Sequence, residues 1–145
     1  SYDLAVSNTG TIRYAHVKGS TSVYISTDSG VSWSALALSI NASAQTTTTI
    51  TPNSFVDCSL DGSIFILGAT TATDNLQVFT YEGRVSKTFT LGSAGILSVY
   101  SSNDGEVLMA TTRTGDVYIS DDRGDTFELQ TISNFSNPLA RNFFL

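Results

Sequence analysis

The chain has 145 residues, 41% of them hydrophobic and only 14% charged, with a formal net charge of −6. That length and apolar content suit one domain with a real core and exclude disorder. The only lysines are Lys18 and Lys87, so no basic footprint marks a nucleic-acid partner, and no apolar run approaches the roughly 18–20 residues of a membrane span.

In chain order, three related units appear, with 21 Ser and 20 Thr favouring turns and pleated sheet. The first, about residues 1–40, opens with an apolar strand at Tyr2–Val6 and a turn at Thr9-Gly10. It continues through Thr11-Ile12-Arg13-Tyr14-Ala15 to Val23-Tyr24-Ile25-Ser26. Residues 41–53 are irregular, with Gln45, Thr46–Thr49 and Pro52, and read as a linker in which Thr46–Ile50 could form an extra edge strand. The second unit, about 54–92, runs Phe55–Cys58, the turn Asp61-Gly62, Ser63-Ile64-Phe65-Ile66-Leu67 and Gln77-Val78-Phe79-Thr80. Cys58 is alone, so no disulfide forms within the chain, and it reads as a small buried hydrophobe. The third unit, about 95–133, runs Ile96–Tyr100, the turn Asp104-Gly105, Glu106-Val107-Leu108-Met109-Ala110 and Val117-Tyr118-Ile119-Ser120.

The turn glycines Gly10, Gly62 and Gly105 lie 52 and 43 residues apart, near the period of propeller blades. Asp-Gly predicts a hairpin whose two central residues both have positive φ. Each unit therefore predicts four short antiparallel strands, about twelve in all, with no long helix. The expected fold is all-β: three four-stranded propeller blades, a partial or oligomer-completed β-propeller. A tail at 134–145 carries Phe135, Leu139, Phe143, Phe144 and Leu145, too apolar for a free solvated end. These five residues are expected to meet a partner or to donate a strand.

Two further turns share a pattern. Ser26-Thr27-Asp28-Ser29-Gly30-Val31-Ser32-Trp33 and Ser120-Asp121-Asp122-Arg123-Gly124-Asp125-Thr126-Phe127 both read Ser-x-Asp-x-Gly-x-Ser/Thr-aromatic. The pattern resembles the Asp-box, or BNR repeat, of sialidases, sortilin-type receptors and some glucanases. The resemblance implies a structural turn on the blade periphery. Asp28 and Asp122 would accept nearby N–H groups, Gly30 and Gly124 would be left-handed, and Ser26 and Ser120 would open the motif. Trp33 and Phe127 would fold back as apolar plugs between sheets. The middle unit keeps only Thr80-Tyr81-Glu82-Gly83-Arg84-Val85, which reads as a plain hairpin.

The same resemblance raises catalysis, and the residues argue against it. Arg13, Arg84, Arg113, Arg123 and Arg141 show no sialidase signature. Glu82, Glu106 and Glu128 offer no pair set for glycoside cleavage. His16 stands alone at a strand end without a nucleophile motif, and one His with one Cys makes no typical zinc site. Asp121, Asp122 and Asp125 are explained by the turn rather than by calcium. No enzyme, cofactor or metal is expected. Three blades fall short of the usual four to eight of a closed ring, so two chains are expected to close a six-bladed ring, or the chain to be one piece of a longer propeller, or its open faces to dock on another protein. The function expected is a structural or recognition module on an extracellular or virion surface, such as a decoration, fibre or tail protein. The alternatives are a lectin stacking sugars on Tyr14, Tyr81 or Tyr100 and, behind it, a fragment of a sialidase-like glycoside hydrolase.

Overall fold

The computed structural model describes residues 2–17, 23–36, 39–41, 44–47, 55–73, 75–80 and 86–131. Blade 1 comprises β1 (Tyr2–Val6), β2 (Arg13–Val17), β3 (Val23–Ser26) and β4 (Ser34–Ala35). A hairpin of β5 (Ser39–Asn41) and β6 (Ala44–Thr47) follows. Blade 2 comprises β7 (Phe55–Cys58), β8 (Ile64–Gly68), β9 (Leu76–Thr80) and β10 (Ser86–Phe89). Blade 3 comprises β11 (Ile96–Ser101), β12 (Leu108–Thr112), β13 (Val117–Ser120) and β14 (Glu128–Gln130). Each blade is an antiparallel meander in simple sequence order, and no helix occurs among the described residues. The expected twelve blade strands are present. The interval read as a linker adds a strand pair, with its second strand starting at Ala44 rather than Thr46; residues 48–50 lie outside the described residues.

The hairpin between the first two strands of each blade departs from the expected turn. Only the glycines have positive φ, at 70°, 73° and 72° for Gly10, Gly62 and Gly105. The Gly62 N–H donates to the Ser59 carbonyl at 2.9 Å, closing a turn with Leu60 and Asp61 at its centre. The left-handed residue follows that turn, as in a three-residue hairpin loop. Asp61 acts through its side chain: Oδ1 accepts from Ser59 Oγ at 2.6 Å and from the Ser63 N–H at 2.9 Å. Asp104 repeats this with Ser102 Oγ and the Glu106 N–H. An Asp in this loop needs no positive φ because its carboxylate mimics a backbone acceptor.

Strand pairing also moves one register. Phe79 faces Phe65, while Ser26 faces Arg13 and Ser120 faces Leu108. Arg13, Phe65 and Leu108 each lie three residues after their turn glycine. The counterpart of Val23–Ser26 is therefore Leu76–Phe79, not Gln77–Thr80. Phe79 replaces the serine of the other two blades, and the apolar run hides the shift.

Two cores fill the joints between blades. Ala5, Tyr14, Val23 and Ile25 meet Val56, Cys58, Phe65, Leu67 and Phe79 between blades 1 and 2. Ile64, Ile66, Leu76 and Val78 meet Ile96, Val99, Leu108 and Ala110 between blades 2 and 3. All five residues of β8 are buried, its alternate side chains serving different cores, as a strand covered on both faces requires. Burial and the neighbouring acids Asp57 and Asp61 push the Cys58 thiol up to about 12, which fits an inert packing residue. His16 is fully buried within β2 rather than placed at a strand end.

Candidate functional site

The two eight-residue turns have the same hydrogen bonds. In blade 1, Ser26 Oγ donates to Asp28 Oδ1 and accepts from the Gly30 N–H, both at 2.8 Å. The Ser32 N–H donates to Asp28 Oδ1 at 2.9 Å and Ser32 Oγ donates to Asp28 Oδ2. In blade 3, Ser120 Oγ donates to Asp122 Oδ1 at 2.7 Å and accepts from the Gly124 N–H at 2.8 Å. The Thr126 N–H and Oγ1 complete the set on Asp122 at 2.9 and 2.7 Å. Gly30 and Gly124 are left-handed, at φ 88° and 85°, as expected. Ser29 and Arg123 join them at 62° and 61°, which the pattern did not announce. Each turn is tied to the other hairpin on its edge: the Ser29 N–H donates to the Thr11 carbonyl, and the Arg123 N–H to that of Glu106.

The bonds from Ser32, first its hydroxyl and then its N–H, hold Asp28 down at about 2. Those from Thr126, first its N–H and then its hydroxyl, do the same for Asp122. Three hydrogen bonds fix each carboxylate within its own turn. A carboxyl depressed on folding adds stability that is complete above its unfolded pKa, 3.8, and is lost as pH falls through about 2. Asp61 and Asp104 are lowered for the same reason, through Ser59 and Ser102 first. Asp57, raised by burial, works in the opposite sense: its share is complete in acid and fades as pH rises through its folded value. We expect the thermal midpoint to fall from about pH 4 to about pH 2. Asp28→Asn with Asp122→Asn should flatten that fall, as a calorimetric pH series would read.

The plugs differ from expectation. Phe127 is half-buried and meets Phe89 of blade 2 edge-on, ring centroids 5.0 Å apart. Trp33 is 42% exposed, with Nε1 donating to the Gly30 carbonyl at 3.2 Å. The reason is position. The aromatic of blade 3 lies on the preceding blade, and blade 1 has none before it among the described residues. Within a single chain, Phe127→Ala should cost about 2–4 kcal/mol and Trp33→Ala under about 1 kcal/mol. Urea midpoints at low protein concentration would rank them.

The remaining candidates disperse. Tyr14 is fully buried, stacked on Phe65 at 4.4 Å with its hydroxyl donating to the Gly62 carbonyl, so it cannot stack on a sugar. Tyr100 is half-buried; Tyr81 lies outside the described residues. Arg13 Nε donates to the Gly10 carbonyl, and Arg123 pairs with Glu106 at 2.8 Å. Arg113 follows β12 at the opposite edge of its blade from those turns. Arg84, Arg141 and Glu82 lie outside the described residues. Among the described residues no group of three His, Cys, Asp or Glu could hold a metal ion. Phe135, Leu139, Phe143, Phe144 and Leu145 also lie outside them, as does the middle turn at 81–85.

What the structure adds is the contrast between end and middle faces. Leu4, Val56 and Val99 share one place, six residues before their turn glycines. Val56 and Val99 are buried by the blade before them, whereas Leu4 is 60% exposed. Val6 is 52% exposed where its counterpart Cys58 is buried. The uncovered end faces follow from the blade count, but their residues emerge only once the strands are aligned.

No protein-family model matches the chain, and no curated protein matches it. Solved structures do. A structure of YCF48 bound to D1 peptide superposes with a TM-score of 0.60 at 12% identity, covering 88% of this chain and 39% of that one. The GH74 enzyme of Niastella koreensis gives 0.63 at 17% identity over 88% of this chain and 17% of its own. A chain of the mitotic checkpoint complex gives 0.60 at 20% identity over 86% and 34%. These are β-propellers, and the likeness establishes the fold of the blades. The chain spans well under half the length of each neighbour.

Proposed function

We propose that this chain is a non-catalytic module of Asp-box type whose work is assembly with other protein surfaces. The observation that carries this is the exposure of Leu4 and Val6 on blade 1 against the burial of Val56, Cys58 and Val99 at matching places. Apolar side chains in contiguous positions of a sheet face mark an interaction site. The paired turns support the Asp-box part, since their carboxylates are spent on internal hydrogen bonds. Two neighbours were solved with a peptide or within a complex, which makes protein the class of partner we propose. An extracellular or virion surface is the proposed setting, on the Ser- and Thr-rich, weakly charged composition.

The test is turnover. We expect no hydrolysis of sialosides or β-glucans by the purified chain. Hydrolysis that disappears in Arg13→Ala or Arg113→Ala, with the thermal midpoint kept, would overturn the proposal.

A further inference from the structure

The joint between blades 1 and 2 is repeated between blades 2 and 3. The Asn8 N–H donates to the Leu60 carbonyl at 2.6 Å, and the Leu60 N–H donates to the Asn103 carbonyl at 2.7 Å. Asn8, Leu60 and Asn103 each lie two residues before their turn glycine, so one bond runs from blade to blade in a constant direction. Among the described residues, the series leaves the Asn103 N–H without an acceptor and the Asn8 carbonyl without a donor.

Packing repeats in the same sense. A Cβ on Gly62 would stand 2.9 Å from Ile12, and one on Gly105 would stand 3.3 Å from Ile64. Ile12, Ile64 and Val107 share one place, two residues after the glycine. Ile64 is buried, while Val107, with no following glycine, is 43% exposed. At the other end, a Cβ on Gly10 would meet only Arg13 of its own blade. Trp33, Leu4 and Val6 are uncovered on that same end, where Phe127, Val56 and Cys58 are packed.

Blade 3 thus carries the leading half of a joint and blade 1 the trailing half. We infer that two copies of this chain join head to tail, blade 3 of each on blade 1 of the other, closing a six-bladed ring. The contact is heterologous, and a heterologous contact closes when the rotation per blade completes a turn. Six blades fall within the four to eight that closed propellers use. The ion pair of the internal joint is not repeated at the ends. Between blades 2 and 3, Lys87 pairs with Asp125 at 2.7 Å. Glu128 takes the place of Lys87 in blade 3, each facing an equivalent residue of the third strand, Val78 or Ile119. Val31 takes the place of Asp125 in blade 1 and is 86% exposed.

The inference rests on the assembly role proposed above and names the partner. The experiment is the native mass of the whole chain by sedimentation equilibrium. Twice the chain mass is expected, with Leu4→Asp and Val107→Asp each reducing it to a single chain. Both side chains are exposed in one copy, so both variants should fold, which circular dichroism checks. A second readout is covalent. Chains carrying Asn8→Cys, mixed with chains carrying Asn103→Cys, should oxidise to a mixed disulfide, and neither variant should cross-link to itself. A single-chain mass at every concentration, any mass other than two chains, or sensitivity to only one of the two Asp variants overturns the ring. Self-linking of either Cys variant does so too. The non-catalytic role would survive those results, since it fails only on turnover.

Discussion

Phe65→Ala should lower the unfolding free energy by about 3–5 kcal/mol, the usual range for truncating a buried ring. Phe65 is wholly buried between Tyr14 at 4.4 Å and Phe79 at 4.6 Å, both contacts stacked. Tyr14 belongs to blade 1 and Phe79 to blade 2, so the ring carries the joint between them. Its removal leaves a cavity with rigid walls on two sides, and the loss should reach both neighbours. Equilibrium urea unfolding reads the cost. A change under about 1 kcal/mol would mean that the joint is not packed around this ring.

The second large effect is expected at Asn75. Its side chain is fully buried and holds the connection from blade 2 to blade 3. Nδ2 donates to the Leu91 carbonyl at 2.8 Å and the Ala94 carbonyl at 3.0 Å, and Oδ1 accepts from the Leu91 N–H at 2.8 Å. Asn75→Ala strands three backbone groups beside a core, each costing about 1–3 kcal/mol if left unpaired. Water reaching the site would offset part of that, so the expected loss is about 3–4 kcal/mol in total. Asn75→Asp keeps the acceptor but sets a buried carboxylate oxygen against the Leu91 and Ala94 carbonyls, so at neutral pH it should cost at least as much as Ala. The same urea titration checks both, and equal midpoints for Asn75→Ala and the parent would refute the role.

The features legible in the sequence are those made by local chemistry. Gly10, Gly62 and Gly105 mark three hairpins because a left-handed residue strongly favours glycine. The Ser-x-Asp-x-Gly spacing marks two turns because serine, aspartate and glycine act on each other within five positions. The Asp-Gly hairpins differ from the expected form for a local reason too: the same dipeptide serves two loops, and only the partners of Asp61 and Asp104 tell them apart. The rest depends on distance along the chain. Asn75 has no motif, and its partners lie 16 and 19 residues away. The exposure of Trp33 is decided by which blade precedes it, not by its own turn. Leu4 and Val6 look like any inner-strand residues until set beside Val56 and Cys58.

Alternation of polar and apolar residues normally tells a strand which side is which. β8 offers no such mark: Ile64 and Ile66 go to one core, Phe65 and Leu67 to the other, and all four are apolar. A slip of one residue would bury the same amount of greasy surface. What holds the register is the Asp61-Gly62 hairpin before it and the Tyr14 ring on which Phe65 lies. The two faces of the middle blade are told apart by their neighbours, Tyr14 on one side and Ile96 and Val99 on the other.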